Sequence, residues 1–170
     1  MNYLWVFLIS MIPLIELRGA IPIALSPAEM TFFGLFHGMG LKIIPSYIVC
    51  IIGNMLPVPV IYFFARKFLE WGQYKKVIGG ICRFFIDKGG KAGEKLQKKA
   101  GRGIFFALLL FVGIPIPGTG AWTGTLAASF LDMKFKDTVI AVMLGVLLAG
   151  IIMMAGSLGL FEALKAVFVK

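Results

Sequence analysis

Charge is scarce in this chain. Of its 170 residues only 15% are Asp, Glu, Lys or Arg, and just eight of these are acids, whereas a soluble domain carries about 25% charged residues on average. Cysteine is scarce as well. Cys50 falls in an apolar stretch and Cys82 in a basic one, with no metal-ligand spacing and no evident disulfide partner, so both read as structural filler. The one histidine, His37, lies beside Gly38 outside the long apolar stretches and reads as a solvated interface residue, not a ligand. No phosphate-cradling P-loop, metal-ligand cluster or catalytic triad is present, which argues against an ATP-driven or hydrolytic role. The expectation is a protein that is not an enzyme and has no cofactor and no metal. The start, Met1-Asn2-Tyr3-Leu4-Trp5, has neither a basic n-region nor a small-residue cleavage site, and it reads as mature structure.

What fills the chain instead is apolar. Hydrophobic residues make up 59% and mean hydropathy is +0.94, which predicts an all-α integral membrane protein forming one transmembrane domain over 1–170. About 20 uncharged residues cross a hydrocarbon core of roughly 30 Å. Ile43 to Ala65 and Thr138 to Phe161 meet that length. Residues 1–15 and 19–28 are each too short, and Ile104 to Leu131 is long but interrupted at its centre; such legs predict re-entrant helical hairpins. The order is hairpin one and spanning helix one (1–65), a basic loop (66–102), then hairpin two and spanning helix two (103–161).

Lysine and arginine orient this arrangement. Between Arg66 and Arg102 there are eleven of them against three acids, which by the positive-inside rule makes the loop cytoplasmic. Lys134 and Lys136 then also lie inside, so hairpin two enters from the cytoplasm and hairpin one from the opposite face. This is an inverted repeat, a construction common among secondary transporters. Ile12-Pro13 echoes Ile114-Pro115, and Gly19-Ala20 nearly echoes Gly120-Ala121. Within the loop, cations interleave with apolar residues over Trp71 to Ile78 and Ile81 to Ile86, a pattern for an amphipathic segment on anionic membrane lipid and not for nucleic acid.

The chemistry concentrates at the two interruptions. In hairpin one, Glu16 and Arg18 sit between Pro13 and Pro22, with Gly19 beside them. An ionisable group near the bilayer centre costs about 2.5–3.5 kcal/mol on insertion scales, so something must offset it. A structural ion pair or a shallow interfacial turn is one reading. The other is that Glu16 exchanges a proton or coordinates a cation while Arg18 tunes it or grips an anionic group; an extended turn would bring the two side chains together. In hairpin two, Gly113, Gly118, Gly120 and Gly124 permit unusual backbone, Pro115 and Pro117 remove donors, and Thr119 and Thr123 add hydroxyls. Trp122 either packs or stacks on a cationic substrate. On spanning helix one, Asn54 near Pro57-Val58-Pro59 is expected to face the hairpin turns, or to hydrogen-bond between helices. On spanning helix two, Gly145, Ala149, Gly150 and Gly156 allow close helix approach.

The runs Pro13-Leu14-Ile15-Glu16-Leu17-Arg18-Gly19-Ala20-Ile21-Pro22 and Gly113-Ile114-Pro115-Ile116-Pro117-Gly118-Thr119-Gly120-Ala121-Trp122 together resemble the small multidrug export family of prokaryotes. That family is similar, distantly, to the DedA/VTT superfamily of membrane transporters and lipid flippases. The resemblance implies paired re-entrant hairpins in the inner (plasma) membrane, with the hairpin acid, here Glu16, as the coupling residue. DedA-type arginines around the second-hairpin proline are missing here. Three functions are therefore carried forward: a proton- or ion-coupled exporter of a small molecule, a flippase for a lipid phosphate such as a polyprenyl phosphate, and a non-transporting membrane scaffold or assembly factor. The small size of the chain makes a homodimer plausible.

Overall fold

A computed structural model describes residues 2–13, 15–27, 31–32, 36–75, 80, 103–116 and 118–168. The chain divides into two compact units, Met1–Leu56 with Val146–Lys170, and Pro57–Gly145. The division falls within both long apolar helices.

The first unit begins with α1 (Asn2–Ser10), a break at residues 11–15, and α2 (Glu16–Leu25), which packs against α1. α3 (Ile43–Met55) packs against both. Its faces are reversed relative to a soluble helix. Ser46, Cys50, Gly53 and Asn54 are buried, at helical spacing, while Ile44, Ile48, Ile52 and Leu56 are exposed. Small and polar residues inside with large aliphatic ones outside is the pattern of a helix whose outer solvent is lipid, because close backbone approach and internal hydrogen bonds replace hydrophobic burial as the cohesive terms.

The link from α2 to α3 departs from the all-α expectation. Thr31–Phe32 (β1) pairs antiparallel with Phe36–His37 (β2), in the register Thr31 to His37 and Phe32 to Phe36. The link also serves the end of α2, whose last carbonyls lack intrahelical donors. The link runs back beside them, and the N–H groups of Met39, Gly40 and Leu41 donate to the carbonyls of Ile23, Ser26 and Ala24. Gly38 is required there, since a side chain would strike the backbone of Ser26 and Pro27.

A single turn residue, Leu56, separates α3 from α4 (Pro57–Gly72), which opens the second unit. α4 buries Val58, Ile61, Tyr62 and Ala65 and exposes Val60, Phe63, Phe64 and Phe68. α5 (Gly103–Gly113) and α6 (Ala121–Phe130) fold back on each other around residues 114–120: a methyl on Gly124 would lie 2.5 Å from Val112 Cγ2 and 3.4 Å from Leu108 Cδ1. α6 packs on α4, where the Ser129 hydroxyl donates to the Tyr62 carbonyl and the Tyr62 hydroxyl donates to the Met133 carbonyl. α7 (Phe135–Phe168) follows, starting three residues before the predicted Thr138, with Asp137 in its first turn opposing the positive end of the helix dipole.

Two stretches are long and apolar enough to cross a membrane, Ile43–Ala65 and Phe135–Gly159. Their beginnings match in detail. The Ser46 hydroxyl donates to the Lys42 carbonyl, and 92 residues later the Thr138 hydroxyl donates to the Lys134 carbonyl. A methyl on Gly53 would come within 2.7 Å of the Phe7 carbonyl oxygen; one on Gly145, again 92 residues on, would come within 2.8 Å of the Leu109 carbonyl oxygen. Phe7 and Leu109 stand 102 residues apart, as do Ile12-Pro13 and Ile114-Pro115. The amphipathic segment expected over 71–86 lies largely outside the described residues, as does Cys82; within it, the Lys75 ammonium sits 4.7 Å from the Trp71 ring centroid. Cys50 is buried with a free thiol.

Candidate functional site

The first interruption is shorter than expected. The chain leaves α1 at Ser10 and is helical again from Glu16, so Arg18, Gly19 and Pro22 belong to α2 and not to the turn. Pro13 stays in the turn, exposed. Pro22 is accommodated inside a helix of only ten residues, where the carbonyl it leaves without a helical donor lies in the first turn.

Glu16 is the unusual residue of this region. Its backbone is left-handed, with φ of +50°, and its side chain is only 5% exposed. Left-handed backbone costs a residue with a Cβ roughly 1–2 kcal/mol, and such outliers persist where the surroundings over-determine them. The carboxylate lies in the first turn of α2, where the helix dipole favours negative charge. The half-buried Arg18 guanidinium interacts electrostatically with it. The expected extended turn is not there: Glu16 is the first residue of α2, in left-handed backbone, and Arg18 lies two residues on in the same helix.

Asn54 is in the same unit. It is 3% exposed on the stripe of α3 that packs on α1 and α2, and its Oδ1 accepts no hydrogen bond from any described residue. Next to it, Gly53 admits Ser10, a fully buried serine whose hydroxyl donates to the Phe7 carbonyl. Sequence reasoning missed Ser10. A hydroxyl in a short apolar leg was the available signal.

Hairpin-two residues gather in the second unit. Gly113 ends α5 and is buried, Pro115 is half-buried, and Gly118 takes a φ of +84° with open space around it. Pro117 lies outside the described residues. The Thr119 hydroxyl is directed at the carbonyls of Ile114 and Ile116, at 3.0 and 2.9 Å, and the Gly120 N–H donates to Thr123 Oγ1 at 2.9 Å. Both threonines thus engage their own turn's backbone, replacing donors and acceptors that the broken helix lacks. Gly124 is not in the turn but inside α6, at the contact with Val112. Trp122 is half-buried in the first turn of α6.

His37, expected to be solvated, is exposed, with Nδ1 3.3 Å from Thr31 Oγ1. It contributes to a cavity of about 440 Å³ with Trp5, Ile9, Phe36 and Met39; Glu16, Arg18 and Asn54 do not line this cavity. Among the described residues no group of His, Cys, Asp and Glu could hold a metal ion.

The profile of the family described as "Putative small multi-drug export protein" matches residues 16–152, starting at the buried acid and taking in the second interruption. The chain belongs to this family. No curated protein and no solved structure matches it. Family membership together with the two long apolar helices makes this a membrane protein of the small multidrug export type.

Proposed function

We propose that this chain is a secondary transporter, coupling export of a small molecule to the movement of protons or another ion, with Glu16 as the coupling group. The observation that carries the reading is Glu16 itself: a carboxylate almost fully removed from solvent, held in left-handed backbone at the start of a ten-residue helix. Two unfavourable terms meet at one position, the burial of an ionisable group and the backbone strain, and a hydrophobic residue there would remove the first while glycine would remove the second. Arg18 then tunes the carboxylate or contacts an anionic part of the substrate.

Several features support re-entrant hairpins. The legs α1, α2, α5 and α6 contain 9, 10, 11 and 10 residues. At about 1.5 Å per residue each rises roughly 14–17 Å, half of a roughly 30 Å core. The inverted repeat is supported by the contacts that recur 92 and 102 residues apart. It is also supported by the content of the units: one holds hairpin one, the start of the first long helix and the end of the second, and the other holds the counterpart of each. On this reading the basic stretch after Arg66 is cytoplasmic and hairpin one opens to the opposite face.

The half-buried Arg18 also favours a second reading, a flippase whose guanidinium engages a lipid phosphate. Flux in proteoliposomes separates the two. A panel of small cationic and anionic dyes is expected to move in response to an imposed proton or sodium gradient with the native chain, and not with Glu16→Gln. Equal flux from Glu16→Gln refutes the coupling role. Translocation of a labelled polyprenyl phosphate without dye flux would replace export by lipid flipping, and neither activity would leave a scaffold.

A further inference from the structure

The end of α4 carries apolar surface that its own unit does not bury. The first long apolar stretch stops at Ala65, yet α4 continues to Gly72, and along this continuation the aromatic rings stay outside. Phe64, Phe68 and Trp71 leave 67, 45 and 56% of their surface uncovered. Spaced four and then three residues apart, they share one face of the helix. Their rings form a ladder, with centroids 6.2 Å apart from Phe64 to Phe68 and again 6.2 Å apart from Phe68 to Trp71. Lys75, four residues further on, completes the row with its ammonium 4.7 Å from the Trp71 centroid. Lys67 is exposed beside the same line, whereas the exposed acid Glu70 stands roughly 120° round the helix from Phe64. Contiguous exposed rings bordered by charge mark an interaction surface.

We infer that this ladder is a docking surface for an anionic phospholipid, its acyl chain along Phe64 and Phe68 and its phosphate held by Lys67 and Lys75. Depth supports this occupant. Trp71 lies six residues past Ala65, about 9 Å along the axis, and the headgroup layer is roughly 5–8 Å thick on each side of the hydrocarbon core. Phe64 therefore sits at the edge of the hydrocarbon, Phe68 and Trp71 at headgroup depth, and Lys75 where an ammonium reaches phosphate. Resting on the Trp71 ring holds the Lys75 ammonium at that level, with N–H donors left over for phosphate oxygens. Charge supports it too, because the stripe opens a stretch with eleven cations against three acids, and such stretches are drawn to anionic lipid. A second copy of the chain is the poorer occupant: a two-fold contact sets the same patch against itself and would bring Lys67 and Lys75 of both copies together. The inference asks only that the chain sit in a membrane and does not rest on the secondary-transporter reading.

The test is quenching of Trp71 fluorescence by brominated lipid, with the full-length chain reconstituted in phosphatidylcholine vesicles. Equal small mole fractions of brominated phosphatidylglycerol or brominated phosphatidylcholine are introduced, and the difference between the native chain and Trp71→Phe isolates Trp71 from Trp5 and Trp122. Should Trp71→Phe not reconstitute, Trp5→Phe/Trp122→Phe leaves Trp71 as the single fluorophore and gives the same reading. Each cation near an anionic surface is worth roughly a fivefold change in partition. Phosphatidylglycerol is therefore expected to quench Trp71 as if enriched at least about threefold over phosphatidylcholine. Lys67→Gln/Lys75→Gln, which alters two exposed side chains, is expected to bring that ratio close to one while quenching by phosphatidylcholine is unchanged. Equal quenching by the two lipids in the native chain overturns the proposal, and so does a preference that survives the double lysine variant. Weak quenching by both lipids would mean that protein covers the ladder, a second copy or the rest of this chain, and would overturn it as well.

Discussion

Gly53 and Gly145 occupy the same position in their respective helices, each the eleventh residue, and each admits the backbone carbonyl of a short helix leg where any side chain would collide. The same packing solution is thus used twice, once in each compact unit. Its energetic content can be measured.

Gly53→Ala and Gly145→Ala are each expected to destabilise the protein by about 1–3 kcal/mol, the usual cost of an extra group in a filled interior. Gly156 and Gly159 have nothing within 4 Å of an added methyl. Gly156→Ala and Gly159→Ala should therefore be neutral, or stabilising by up to about 1 kcal/mol through helix propensity. Denaturant unfolding in mixed micelles reads all four. A neutral Gly145→Ala would remove the equivalence.

Glu16 separates stability from activity. Glycine adopts a φ of +50° without penalty, so Glu16→Gly is expected to hold or raise the unfolding midpoint while gradient-driven flux is lost. A variant that is both unstable and inactive would instead assign the acid to a structural ion pair with Arg18.

Tyr62 ties α4 to the turn after α6. Tyr62→Phe removes the hydroxyl that satisfies the Met133 carbonyl, and the expected loss is about 1 kcal/mol, between the average for hydrogen bonds inside membrane proteins and the cost of an unpaired buried acceptor. Ser129→Ala, which removes the second hydroxyl contact between α6 and α4, should cost a similar amount or less. No change in either variant would show that water replaces the lost partner.

Topology can be read with impermeant thiol reagents on single cysteines placed in a Cys50→Ala/Cys82→Ala background. If α1 and α2 form a re-entrant hairpin, Asn2→Cys and Lys42→Cys label from one face of the membrane, while Gly103→Cys and Lys134→Cys label from the other. Labelling of Asn2→Cys and Lys42→Cys from opposite faces would mean that residues 2–25 cross as one bent span.

Much of the architecture was legible from residue order. The span Ile43–Ala65 and the interruption at 114–120 follow from uncharged length and from clustered Gly and Pro, which act locally on the backbone. The boundary at Glu16 was not. Pro22 suggested a break extending to that residue, yet α2 runs through it. Nor did the two-residue strands of the link announce themselves, because so short a pairing leaves no period in the sequence, and the return of the link beside α2 is fixed by bonds between segments about 15 residues apart.

By itself, then, the order of residues determined that this chain belongs in lipid, that its short apolar legs are interrupted and that its positive charge gathers in one stretch, because hydropathy, the missing N–H of proline and formal charge are properties of residues wherever they sit. Only the tertiary structure decided that Glu16 takes a left-handed backbone, that Asn54 Oδ1 is sealed from solvent and that Gly53 and Gly145 receive equivalent carbonyls. Strain, desolvation and close packing exist only between parts of a chain already folded against each other.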